Sequence, residues 1–101
     1  MATEVRIYTM KPGRLDEFVE LFRRHIMPTS NQYGVRIHAA WRNDAANEWV
    51  WVRSYDDEAT VESYNASPER AGYTPLVQDC LESTVVRTVE PVIGDLPVAN
   101  T

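Results

Sequence analysis

Nine of the ten basic residues in this chain are arginine, and only Lys11 is lysine. Arginine keeps its charge when enclosed and grips a carboxylate or phenolate through two parallel hydrogen bonds. Arg6, Arg36, Arg42, Arg53 and Arg87 fall in segments that read as strands, with Arg6 and Arg53 deepest inside them. The pattern points to a cavity for an anionic or enolisable small molecule. The plainer reading puts Arg36, Arg42 and Arg87 at rims, paired with acidic side chains such as Glu48 or Glu90. His38 is the natural proton carrier, because an ordinary imidazole titrates near ~6.5. Its plainer role is a histidine satisfied by a neighbouring backbone or hydroxyl group. His25 falls on a helix surface. Tyr8, Trp49, Trp51 and Tyr55 could stack on a flat substrate or simply fill an apolar core. Tyr64 and Tyr73 are placed at a mouth. The candidate catalytic residues are thus His38, Arg53 and Arg6, and the candidate substrate-binding residues Tyr8, Trp49, Trp51 and Tyr55.

Other chemistries find no foothold. There is no HxH, HxxxH or CxxC spacing, so no metal site is expected. One histidine would suffice to ligate haem, but nothing recommends it, and no cofactor is expected. Glycine-rich phosphate loops and the nucleophile elbow are absent. A net charge of -5 argues against nucleic acid, whose binders present a basic face. The longest apolar run, Trp49 to Val52, is far too short to span a membrane. A single cysteine, Cys80, fits a reducing cytoplasm and reads as buried filler.

The 101 residues make one domain over positions 1–90, with 91–101 as a C-terminal arm. Residues Glu4 to Met10 alternate with the period of a strand. Lys11-Pro12-Gly13 stops it, with Gly13 as helix N-cap, and Leu15, Phe18, Val19, Phe22 and Ile26 form one apolar helical stripe. Pro28 should end or kink that helix near Met27. Strands are predicted over Val35 to Arg42 and Glu48 to Tyr55, joined by the polar loop Asn43 to Asn47. A weak helix follows from Asp56 to Tyr64. Ser67-Pro68 and Thr74-Pro75 then predict a broken helical region to about Leu81. The last strand is Ser83 to Glu90. The order is that of a ferredoxin-like α+β fold, βαββαβ, with a four-stranded antiparallel sheet.

Helices can cover one sheet face only. The set Val5, Ile7, Val35, Ile37, Ala39, Val50, Val52 and Val86 is nearly all aliphatic and is expected beneath the helices. Arg6, Tyr8, Arg36, His38, Trp49, Trp51, Arg53, Tyr55, Val85 and Arg87 would then face away. Exposing so many aromatics would exceed the apolar patch a monomer tolerates, so a homodimer is expected whose paired sheets enclose this second face.

The segment Glu4-Val5-Arg6-Ile7-Tyr8-Thr9-Met10-Lys11-Pro12-Gly13-Arg14-Leu15-Asp16-Glu17-Phe18 resembles the opening of NIPSNAP-type domains. Gly34 to Trp41, Asn47 to Trp51 and Tyr55-Asp56-Asp57 extend the resemblance over roughly Thr3 to Glu90. It implies the dimeric α+β barrel superfamily, which includes cofactor-independent monooxygenases of aromatic polyketides, haem-degrading monooxygenases, isomerases, lyases and plain ligand binders. No catalytic motif is carried over with it.

Three functions stay open: a cofactor-independent enzyme on a small aromatic or carbonyl-bearing, anionic substrate; a non-catalytic ligand binder; and a structural dimer packed shut. A void of ~300 Å³ or more lined by arginine, histidine and aromatics would favour a ligand.

Overall fold

The computed structural model describes residues 1–94. The strands are β1 (Ala2–Met10), β2 (Arg36–Asn43), β3 (Glu48–Tyr55) and β4 (Leu81–Val89). They form one antiparallel sheet in the order β2-β3-β1-β4. Between β1 and β2 lie α1 (Leu15–Leu21), a π-helical turn (Phe22–Ile26) and α2 (Met27–Gln32); between β3 and β4 lie α3 (Glu58–Asn65) and α4 (Pro68–Cys80). This is the expected βαββαβ ferredoxin-like arrangement. Of the expected C-terminal arm, residues 95–101 lie outside the described residues.

The first helical segment keeps the predicted stripe, with Leu15, Phe18, Val19, Phe22 and Ile26 all buried. Its start differs: Arg14 is the N-cap, and Gly13 instead takes φ +76° in the preceding turn, a conformation that costs glycine little. Pro28 does not stop the helix. A widened turn precedes it, in which the Met27 N–H reaches the Phe22 carbonyl five residues back. That turn relieves the clash a proline ring makes with the carbonyl four residues earlier.

Helix α4 likewise runs through Pro75 instead of restarting there. The Thr74 hydroxyl donates to the Arg70 carbonyl at 2.6 Å and supports the turn the proline weakens. Ser67 caps α4 as the sequence signals, and Asp57 caps α3. Asp57 Oδ1 accepts from the Thr60 N–H at 2.9 Å and Ser67 Oγ from the Arg70 N–H at 3.2 Å. Asp57→Ala or Ser67→Ala should each lower the unfolding free energy by about 1 kcal/mol, read from urea denaturation at unchanged slope.

In β1 and β3 the two sheet faces are the reverse of the expected assignment, whereas in β4 Val86 falls on the covered face and Val85 and Arg87 on the outer one, as expected. Glu4, Arg6, Tyr8 and Met10 of β1 and Trp49, Trp51, Arg53 and Tyr55 of β3 share the face that lies beneath the helices, as the β1–β3 register fixes. Tyr8, Trp49 and Trp51 join Phe18 and Phe22 in one core cluster. Their rings meet edge-on or tilted at 4.8 to 6.2 Å between centroids, a geometry worth ~0.5–1.5 kcal/mol per pair beyond area burial. The physical reason is size. Each large aromatic removes ~150–250 Å² from water, well above what a valine offers, so the helical stripe is better spent on that face. Val5, Ile7, Val50 and Val52 take the outer face instead.

In β2 the faces switch midway. The register with β3 slips between Ile37 and Ala39, where His38 is the extra residue of a bulge. Val35 and Ile37 pack under the helices as expected, but beyond the bulge Ala39 and Trp41 pair with Val52 and Val50 and turn outward. A period-two reading of the sequence has no means of seeing an inserted residue.

Candidate functional site

The centre of the covered face carries charge. Glu4, only 8% exposed, sits opposite Arg53 in the β1–β3 ladder and two residues before Arg6, so all three project the same way. Glu4 Oε1 accepts from Arg6 Nη1 at 2.6 Å and from Arg53 Nε at 2.7 Å. Its Oε2 accepts from the Tyr55 hydroxyl at 3.3 Å. Arg6 Nε also donates to the Tyr8 hydroxyl at 2.9 Å. The Arg6 and Arg53 guanidinium carbons stand 5.6 and 5.8 Å from the Trp51 ring centroid, within cation–π range.

Burial alone would raise the Glu4 carboxyl, but the hydrogen bonds and charges of Arg53 and Arg6 outweigh it and hold it below its ordinary value. The Tyr55 hydroxyl is pushed up by burial and by the Glu4 charge.

Beside this cluster a cavity of about 110 Å³ opens between sheet and helices, with Arg6, Tyr8, Trp51 and Arg53 as its floor. The α3–α4 side contributes Tyr64, Arg70 and Tyr73, and β4 adds Thr84. The Tyr64 and Tyr73 hydroxyls lie 2.9 Å apart, and the Tyr73 hydroxyl is pushed up strongly by burial and by that neighbour. His25, in the π-helical turn, stacks on the Tyr73 ring at 5.6 Å. Arg70 lies over the Tyr64 ring at 5.4 Å and donates to the Asn65 side chain at 2.8 Å. The cavity is smaller than the ~300 Å³ typical of drug-sized ligands, and no histidine lines it.

The candidate residues therefore divide. Arg6, Arg53, Tyr8 and Trp51 converge on the cavity, and Tyr55 braces Glu4 behind it. Trp49 and His38 line a separate open groove of about 300 Å³ beside β2, with Phe22 and Met27. His38 Nε2 lies 2.7 Å from Ser54 Oγ, which the register places on the outer face. Burial and the Arg36 charge lower its pKa.

The rim arginines have acidic partners other than those expected. Arg36 pairs with Asp56 at 2.8 Å, and Arg42 with Asp16 and Asp44 at 2.7 Å each. Arg87 turns outward opposite Val5. Cys80 is fully buried, and its thiol, donating to Glu17 Oε2 at 2.8 Å, is pushed up to about 11 by burial and that carboxylate. Sequence reasoning missed Glu4 and Arg70. For Glu4 a signal existed: a carboxylate on the same strand face as Arg6 is a ready internal counterion.

Among the described residues no group of three or more His, Cys, Asp or Glu could hold a metal ion. No helix there is long and apolar enough to cross a membrane.

Comparison with known proteins places this geometry. An uncharacterized NIPSNAP domain protein from Burkholderia xenovorans superposes with a TM-score of 0.82 at 25% identity, covering 96% of this chain and 100% of the other. A NIPSNAP family protein from Agrobacterium tumefaciens gives a TM-score of 0.78 at 15% identity, covering 90% and 92%. A structure described as an antibiotic biosynthesis monooxygenase gives 0.71 at 18% identity, covering 92% and 100%. The curated proteins return no match. The antibiotic biosynthesis monooxygenase family matches residues 1–73, most of the chain, and with the sheet order and helix placement in agreement the chain belongs to that family.

Proposed function

We propose that the protein is a homodimer that binds a small anionic, aromatic or carbonyl-bearing molecule in the pocket beneath its helices and acts on it without a cofactor. One observation carries the reading: Arg6, Arg53 and Arg70 converge on a single pocket walled by tyrosines and Trp51. Fixed positive charge in a partly water-excluded site stabilises an enolate or phenolate as it forms. That stabilisation is the step shared by cofactor-free oxygenation, isomerisation and lyase cleavage of such substrates.

The dimer part of the proposal rests on the outer sheet face. Val5, Ile7, Val50, Val52, Val85 and Val89 share it with Trp41, and no helix among the described residues covers it. Trp41 is 56% exposed. A second copy laid face to face would cover this surface.

The test is to incubate the protein with phenols and 2-oxo acids, following α-proton exchange with deuterium by NMR and oxygen uptake by electrode. Exchange or uptake that falls at least ~100-fold in Arg53→Gln supports the reading. Binding without exchange or uptake supports the second reading, a non-catalytic ligand binder. That reading is favoured by a specific feature: among the described residues no histidine, lysine or carboxylate lines the cavity to take a proton. His38→Ala should leave affinity for the pocket ligand in place, because His38 lines the other groove.

A further inference from the structure

Hydrogen-bond accounting in the pocket is one-sided. The acceptors closest to the arginines are already used: Glu4 takes Arg6, Arg53 and Tyr55, and the Tyr8 hydroxyl takes Arg6. The donors are not. Arg53 spends only Nε, and both its Nη groups are without partners among the described residues; Arg6 keeps Nη2 spare. Spare guanidinium donors in an enclosed site call for an acceptor. Charge is equally unbalanced, because Glu4 is the one carboxylate against Arg6 and Arg53, and Arg70 makes no ion pair among the described residues.

Resting on the reading of this pocket as a ligand site, we propose that its ligand is a short carboxylate, smaller than a benzoate, such as a 2-oxo acid. The carboxylate accepts from the spare Nη groups of Arg53 and Arg6, and Arg70 supplies the second unpaired charge that selects anions over neutral compounds. A carboxylate is the group that matches two converging guanidinium forks. Size sets the limit: a cavity of ~150 Å³ admits benzene, and this one, at about 110 Å³, is smaller. An aromatic carboxylate therefore does not fit without displacement of the walls. The Trp51 and Trp49 indole N–H groups have no partner among the described residues, but both are sealed within the core and form no part of this site.

Calorimetric titration of the intact protein with pyruvate, pyruvamide and 2-naphthoate tests the proposal, in parallel with Arg53→Lys and Arg70→Gln. Arg53→Lys keeps the charge that faces Glu4 and removes the guanidinium fork. The expected result is binding of pyruvate, none of pyruvamide, and affinity about tenfold weaker in each variant. Pyruvamide binding as tightly as pyruvate, 2-naphthoate binding best, or both variants binding pyruvate unchanged would overturn the carboxylate assignment while leaving a small-molecule pocket in place. No heat with any compound at millimolar concentration, together with no oxygen uptake or proton exchange in the wider screen, would overturn the pocket itself.

Discussion

Glu4→Ala is expected to remove about 3–5 kcal/mol of unfolding free energy, the usual cost of leaving buried charges uncompensated. The substitution deletes the shared counterion of Arg6 and Arg53, which then confront each other beneath the helices. A domain of this size holds only ~5–15 kcal/mol in total, so chemical denaturation should show a large fall in midpoint. The pH dependence has a definite sign. The Glu4 carboxyl is held below its ordinary value near 4.5 by Arg53 and Arg6. Its stabilisation is therefore complete above that ordinary value and is lost as pH falls through the depressed one. Glu4→Gln keeps the size and an acceptor oxygen but cannot titrate, so its stability should vary less with pH below 4.5 than that of the parent. Equal acid sensitivity in the two proteins would mean that Glu4 does not carry the effect.

Val50→Asp is expected to weaken self-association at least ~100-fold while leaving each protomer folded. Val50 lies on the outer sheet face, opposite Ile7 on one side and Trp41 on the other. In a free protomer the new carboxylate is hydrated; in a face-to-face dimer it loses that water, and symmetry imposes the cost twice. Sedimentation velocity across a concentration series reads the shift directly, and circular dichroism reports whether the fold survives. A parent chain already monomeric at micromolar concentration, or a variant that still dimerises equally well, would contradict the proposed interface.

Most of the fold was legible because its signals are local. The alternation in β1 and β3, the stripe Leu15 to Ile26 and the caps at Asp57 and Ser67 each depend on neighbours in sequence. What proved illegible depends on geometry that a linear pattern does not encode. The bulge at His38 inserts one residue and inverts the remainder of β2. The π-helical turn lets the chain pass Pro28.

The exchange of sheet faces has a different cause. Arginines on a strand face argue for solvent or an interface only while they lack a counterion, and Glu4 supplies one from within. With Glu4 bonded to both arginines, the area of Tyr8, Trp49 and Trp51 decides which face the helices cover. Arg6, Arg53, Tyr8 and Trp51 thus remain together as a group, in a chamber within one protomer, while His38, at the bulge, lines a separate groove beside β2.

A crystal structure of the protein grown with pyruvate tests the central claim most directly. The account predicts density in each protomer beneath the helices, its carboxylate between Arg53 and Arg6. Pyruvate held instead between two paired sheets, against Val5, Ile7 and Val50, with the arginine pocket empty, would contradict it.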